Sequence, residues 1–295
     1  MKRMGGGRRG AIAGVGLWMG VVMTPAVVSA DENYFGYSYG SETLPKGRSE
    51  AYLWLTSRIG KGVGTYHAWD NFNEFEHGLT DRLQVAFYAN SSGHRIKRNP
   101  EFADNSSFGF EGVRTSFKYA LTSPYKQGLG VALYVEPEYS RRDKISGQNI
   151  TELAVETKLI LQKNFLDDRM VSVLNLTYEH EWEKEATEEE GGPAEEEFEQ
   201  EIALEATAGL NYRFRPNWFL GAEARTHSEY PDADLGNEEH RAWFLGPALH
   251  YGGRKWWFTV TVLPQIHGRP QENSERLFLG EHERLETRLK IGYNF

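Results

Sequence analysis

The residues best suited to chemistry crowd into two stretches. His227, Glu229, Asp232, Asp234, Glu238, Glu239 and His240 lie close together, and imidazole nitrogens beside carboxylates suit a transition metal. The spacing reads as a polar loop between strands, however, and does not by itself bring the two histidines together. Glu183 to Glu199 holds nine glutamates and one lysine around Gly191-Gly192-Pro193. Such carboxylates are hard ligands for Ca²⁺ or Mg²⁺, or for cation-bridged contact with a phosphorylated surface. The run lacks the spacing of an EF-hand and reads first as a self-repelling, solvated loop. No metal and no cofactor are expected. Gly60-Lys61-Gly62-Val63-Gly64-Thr65 has neither the spacing nor the following helix of a phosphate loop, and reads as a hairpin. Serine, histidine and asparagine are plentiful, yet no segment carries a nucleophile motif, so no catalytic residue is assigned.

The remaining acids and bases follow a different rule, standing at alternate positions in otherwise apolar segments. Arg114, Lys118, Glu136, Glu138, Glu152, Glu156, Lys158, Glu205, Arg213, Glu223, Arg225, Glu286, Arg288 and Lys290 are of this kind, and are the candidates for a polar interior. The clearest segment is 202–214. Ile202, Leu204, Ala206, Ala208, Leu210, Tyr212 and Phe214 fall on one face, and Glu205, Thr207, Gly209, Asn211 and Arg213 on the other. A period of 2 is that of a strand; a helix, with period 3.6, would scatter both sets around its circumference. The pattern recurs with Leu153, Val155, Thr157, Leu159 and Leu161 against Glu152, Glu156, Lys158 and Gln162. It returns with Leu285, Leu289, Ile291 and Tyr293 against Glu286, Arg288, Lys290 and Asn294.

Applied to the whole chain, the rule predicts twelve strands near 49–59, 66–77, 82–92, 108–121, 129–140, 148–164, 169–182, 199–214, 217–228, 238–251, 254–266 and 281–295. Between Trp69 and His77 the alternation is muddled, since Phe72 and Phe75 cannot share a face. Even-numbered strands lead into short turns such as 215–217 and 252–253, whereas most odd-numbered ones lead into longer polar stretches such as 93–107, 183–198 and 267–280. An even count, strands of about ten residues, short turns at one end and long loops at the other describe a single antiparallel transmembrane β-barrel. A soluble β-sandwich would share the alternation but not the alternating loop lengths.

Lys2, Arg3, Arg8 and Arg9 precede an uncharged stretch from Ala11 to Met23 and the small residues Val28-Ser29-Ala30. This reads as a signal peptide over 1–30, leaving 31–295 as the barrel domain, exported by the Sec route to the outer membrane of a Gram-negative bacterium. Its removal takes the formal net charge from -9 to -13, which excludes a nucleic-acid partner. The absence of cysteine excludes a lipid-anchored amino terminus and structural disulfides.

Lys290-Ile291-Gly292-Tyr293-Asn294-Phe295 resembles the carboxy-terminal signal by which the barrel-assembly machinery recognises its clients, with Tyr293 and Phe295 as its aromatic residues. Glu42-Thr43-Leu44-Pro45-Lys46-Gly47 and the hairpin from Glu74 to Leu83 resemble proteobacterial outer-membrane barrels, including transporters of the phenol-degradation type. These resemblances imply a fold, an outer-membrane location among lipid and lipopolysaccharide, and no substrate. Twelve strands lie between the filled interior of eight and the aqueous channel of sixteen, so a narrow channel for small solutes is expected. A non-conducting surface barrel is the alternative, and an outer-membrane lipid hydrolase a more distant one. Deleting Phe295 is expected to reduce insertion far more than deleting Glu188 to Glu190, measured as heat-modifiable folded barrel in outer-membrane fractions. Equal insertion of the two variants contradicts the assembly reading.

Overall fold

The computed structural model describes residues 33–187, 195–270 and 276–295; the expected signal peptide at 1–30 and the middle of the acidic run lie outside them. The described strands are β1 (Ser49–Ile59), β2 (Thr65–Gly78), β3 (Leu83–Lys97), β4 (Asn105–Thr122), β5 (Gly130–Arg142) and β6 (Asn149–Phe165). After these come β7 (Met170–Thr187), β8 (Glu195–Arg215), β9 (Trp218–Pro231), β10 (His240–Gly252), β11 (Trp256–Arg269) and β12 (Leu285–Asn294). Each pairs antiparallel with its neighbours in sequence, and β12 pairs with β1 from Glu50↔Asn294 to Ile59↔Leu285. The sheet therefore closes into a barrel with no free edge, the condition for a sheet to survive in lipid, where an unpaired backbone group has no water to bond. A hydrogen bond from Phe295 N to Ser49 O, 3.0 Å, finishes the seam.

All twelve expected strands are present. Two expected loops are shorter than the sequence suggested, because pairing continues beyond the wall's apolar band. β3 runs to Lys97 and β4 starts at Asn105, while β7 and β8 stay in register out to Thr187↔Glu195. Polar residues there satisfy strand geometry but not the apolar alternation from which a strand is read. The short turns carry the left-handed residues that tight reversals need: Asn217 between β8 and β9 (φ 66°), and Leu166 to Asp168 between β6 and β7.

The outward face is apolar and uncovered. Phe87, Leu176, Leu210 and Leu220 are each about half exposed, an arrangement a soluble monomer would not tolerate over a belt this size. Aromatic rings gather near the ends of the wall: Trp256 against Tyr293, Trp218 against Tyr251, and at the other end His180 stacked on Trp182. The muddled stretch of β2 resolves in the same terms, since Phe72 points inward against Trp54 while Phe75 faces out.

Lipid-facing and lumen-facing positions are expected to respond in opposite ways to charge. Leu210→Arg should lower folded yield in lipid vesicles, because a guanidinium near the bilayer midplane costs about 2–4 kcal/mol. Glu179→Arg, inward-facing and directly opposite Glu156, should fold as well as the parent. Equal yields would contradict the assigned faces.

Candidate functional site: a strapped, charge-lined lumen

Residues 33–44 run through the inside of the barrel, near the end that carries Ser49 and Phe295. In barrels of this architecture the short-turn end faces the periplasm. An extended segment inside a barrel has no strand to pair with, so its backbone must find side chains. Glu223 of β9 accepts from Gly36 N (3.1 Å), Tyr37 N (2.9 Å) and Ser38 N (2.5 Å). Asn175 of β7 bonds Tyr39 reciprocally, its Oδ1 accepting from N at 2.6 Å and its Nδ2 donating to O at 3.1 Å. Gln162 accepts from Ser41 N, Gln84 accepts from Leu44 N, and Asn211 donates to Tyr34 O. Side chains of β3, β6, β7, β8 and β9 thus hold one strap.

The strap's own side chains fill the remaining space. Phe35 has no exposed surface and packs with Val171, Val173, Phe219 and Ala248. Its ring lies where a Cβ on Gly209 would stand, 2.5 Å away, so glycine is required on β8 at that point. Tyr37 lies under the Arg288 guanidinium, 3.9 Å from ring centre to Cζ, and Tyr39 packs near Trp54 and Tyr134. Between the strap and the periplasmic rim lies a vestibule of about 1020 Å³ lined by Glu42, Tyr125, Arg213 and His250 among others.

Every lumen candidate from the sequence faces inward, and the wall groups them by height. Lys118, Glu223, Arg288 and Lys290 surround the strap: Lys118 reaches Gly40 O, Arg288 donates to Thr56 and to Gly36 O, and Lys290 Nζ lies 3.7 Å from the centre of the Trp54 ring. Arg213 lines the vestibule. The others form ion pairs further out. Arg114 meets Glu136 at 3.3 Å and Glu138 at 2.7 Å, Lys158 meets Glu156 at 2.5 Å, and Arg225 bridges Glu205 and Glu286 at 2.5 and 2.7 Å. Glu152 lies 4.0 Å from Lys144. Glu205 is thus committed to Arg225 and is no spare position for a charge.

Acid outweighs base on one side of this outer half. Glu136, Glu156 and Glu179 stand directly opposite one another across β5, β6 and β7, and Glu181 faces Glu201 across β7 and β8. Like charges so placed repel. Sequence alternation puts Glu136 and Glu156 on the inward face, but only the register brings Glu179 beside them in one row.

Two loops fold inward at the outer mouth. The β5–β6 loop folds over the adjoining wall of β1 to β4, where Arg58 and His94 donate to Lys144 O, Tyr66 to Ile145 O and Asn105 to Ser146 O. Burial works against the Lys144 ammonium, but Glu138 and Glu152 hold its pKa well above the ordinary lysine range. The described part of the β11–β12 loop, residues 276–284, is fastened by Gly62 N to Leu279 O (2.7 Å), by Gln265 to Phe278 and by Lys61 Nζ to Glu281 O. Burial lowers the Lys61 pKa, with Glu283 and Glu281 partly opposing.

The first histidine-rich stretch comes together only in part. Glu229 bridges His227 Nε2 at 2.8 Å and His240 Nε2 at 3.0 Å, and the loop adds His282, whose Nε2 is 3.0 Å from His240 Nδ1. Asp232 and Asp234 stay on the loop outside, while Glu238 bonds Tyr230 and Arg241. The ring nitrogens point at one another, and no group among the described residues converges to hold a metal. Sequence reasoning missed His282, because nothing in a linear spacing signals a loop folding back. Two serine–histidine contacts, Ser57 with His67 (2.9 Å) and Ser49 with His77 (2.8 Å), lie on the outward face of β1 and β2. Neither contact includes an acidic residue to orient the ring, so neither builds a triad.

A closed twelve-stranded barrel with an apolar belt and a polar interior defines the outer-membrane class of β-barrel. The chain belongs to DUF6662, a family of unknown function whose model matches residues 27–295. No curated protein sequence matches it. Among solved structures it is similar to the COG4313 outer membrane channel from Pseudomonas putida F1 (13% identity, 86% of this chain and 98% of that one, TM-score 0.54). It is also similar to the translocator domain of the autotransporter NalP from Neisseria meningitidis (11% identity, 85% and 89%, TM-score 0.51). At these identities the likeness is one of fold.

Glu223→Ala would strand the buried N–H groups of Tyr37 and Ser38, each worth about 1–3 kcal/mol of desolvation, while Gly36 N keeps Thr261 Oγ1 at 3.0 Å. In a Ser38→Cys background, which otherwise has no cysteine, it should raise thiol labelling from the periplasmic side at least tenfold without loss of barrel. Unchanged labelling would mean that Glu223 does not hold the strap.

Proposed function

We propose that this protein is a gated outer-membrane channel for small solutes, with a preference for cations, whose closed form is the strapped barrel. The observation that carries the reading is how the strap is held. It occupies the lumen through side-chain-to-backbone hydrogen bonds and cation–π contacts and has no part in the barrel wall, so it can leave without opening a sheet edge. The carboxylate row of Glu136, Glu156 and Glu179, with Glu181 and Glu201, supports the cation preference, because a path along it is favourable for positive charge. Residues 1–30 act as a cleaved Sec signal, and Tyr293 and Phe295 present the last strand to the assembly machinery. A sealed barrel serving surface interaction is the second reading, favoured by the zero exposure of Phe35.

Planar-bilayer recording separates the two. Refolded 31–295 should show rare, brief openings, whereas a variant lacking 33–44 should conduct steadily with a reversal potential shifted towards cations. A folded deletion variant that remains silent would overturn the channel reading.

A further inference from the structure

We propose that the outer mouth carries an acid-released latch, the hydrogen bond between two imidazoles, His282 of the inward-folded loop and His240 at the start of β10. The proposal concerns regulation of the lumen and rests on the channel reading only for its consequence in transport.

The geometry is specific. His282 Nε2 and His240 Nδ1 are 3.0 Å apart, and each ring nitrogen carries at most one proton, so one must donate and the other accept. Once both rings are cationic, two donors face each other at that distance and the bond is replaced by repulsion. The surroundings allow no easy escape. His282 is 5% exposed and is packed edge-on to His240 (centroids 4.7 Å, 89°), His227 (5.8 Å), Phe244 (6.2 Å) and Phe278 (6.1 Å).

The charges that face this site come from every element around it. β9 supplies His227 and Glu229, β10 supplies His240, β8 supplies Glu201 and Glu205, and the β1–β2 turn supplies Lys61. The loop itself supplies Glu281 and Glu283, with Arg58 of β1 beyond Glu283. Glu229 is the carboxylate that could stabilise a charged His282, but both its oxygens are already taken by His227 and His240. Burial first, and then the neighbouring His227 and His240, lower the His282 pKa from 6.5 to about 2.

The sign follows from linkage. A ring held neutral in the closed form and free to reach its ordinary pKa in the released form favours closure fully above about pH 6.5. Below that value the contribution falls, and each further unit of acid raises the ratio of released to latched loop by up to about tenfold. Glu283, paired to Arg58 at 3.2 Å and to Lys61 at 3.9 Å, would also weaken on protonation, so the test must separate imidazole from carboxylate.

A nitroxide attached at Arg276→Cys, an exposed position on this segment, reports loop mobility in the full refolded chain by its spectral line shape. Between pH 7.5 and 4.5 the parent should pass from immobile to mobile. His282→Phe keeps the ring packing and every carboxylate but can neither make the bond nor take a proton, so its line shape should be the same at both values. His282→Arg should be mobile at both. An immobile label in the parent at pH 4.5, or an unchanged acid transition in His282→Phe, would overturn the latch. Conductance recorded in parallel tests the channel reading separately: a loop that releases in acid while 31–295 stays silent keeps the latch and removes its role in transport.

Discussion

A closed sheet in lipid has solved its backbone problem, but it encloses a space whose inward side chains must be satisfied out of reach of bulk water. Everything distinctive here follows from that enclosure. Charges left alone in such a space are costly, and removing one partner of a buried pair costs several kcal/mol. The wall answers with pairs such as Arg225 between Glu205 and Glu286, and with a strap whose backbone takes up the carboxamides and the carboxylate that would otherwise lack partners. Glu223, with no exposed surface, is the extreme case, because its oxygens are satisfied by three consecutive backbone N–H groups.

The two ends of the lumen are closed by different physics. On the terminal side, hydrogen bonds to an extended backbone combine with aromatic packing in an enclosed setting, which holds the strap without tying it to the sheet. On the outer side, titratable groups meet across loops, and the fit depends on which of them carry protons. The acidic row on β5 to β7 lies between these two closures.

Much of the barrel was legible in the sequence, for a reason that also sets the limit of what was not. Alternation reports which face a residue takes, and lipid on one side with charge on the other makes that signal strong in segments such as 202–214. It gives no height along the wall and no register between strands, so Glu136 and Glu156 read as inward without any sign that they stand in one row with Glu179. It also fades where both faces are polar, as in the outer reaches of β3, β4, β7 and β8. The strap left a trace in Phe35, Tyr37 and Tyr39 at alternate positions and in Gly209 on an otherwise well-filled strand, but a run of three rings before the first strand reads as easily as a linker. His282 left none, because its partners lie on strands far away in sequence.

The central claim is that residues 33–44 lie inside the barrel and close it. In the structure a Cβ at Gly36 would stand 2.8 Å from Cβ of Thr261, about 1 Å closer than a disulfide prefers, so the strap must give by that much to carry the bond. The most direct measurement is therefore the cross-link between Gly36→Cys and Thr261→Cys in intact outer membranes, in a chain with no other cysteine, read together with conductance before and after reduction. The strapped-barrel account predicts that the bond forms in the folded protein, abolishes openings, and restores them when reduced. Free thiols in the folded barrel, or openings that persist with the cross-link in place, would contradict it.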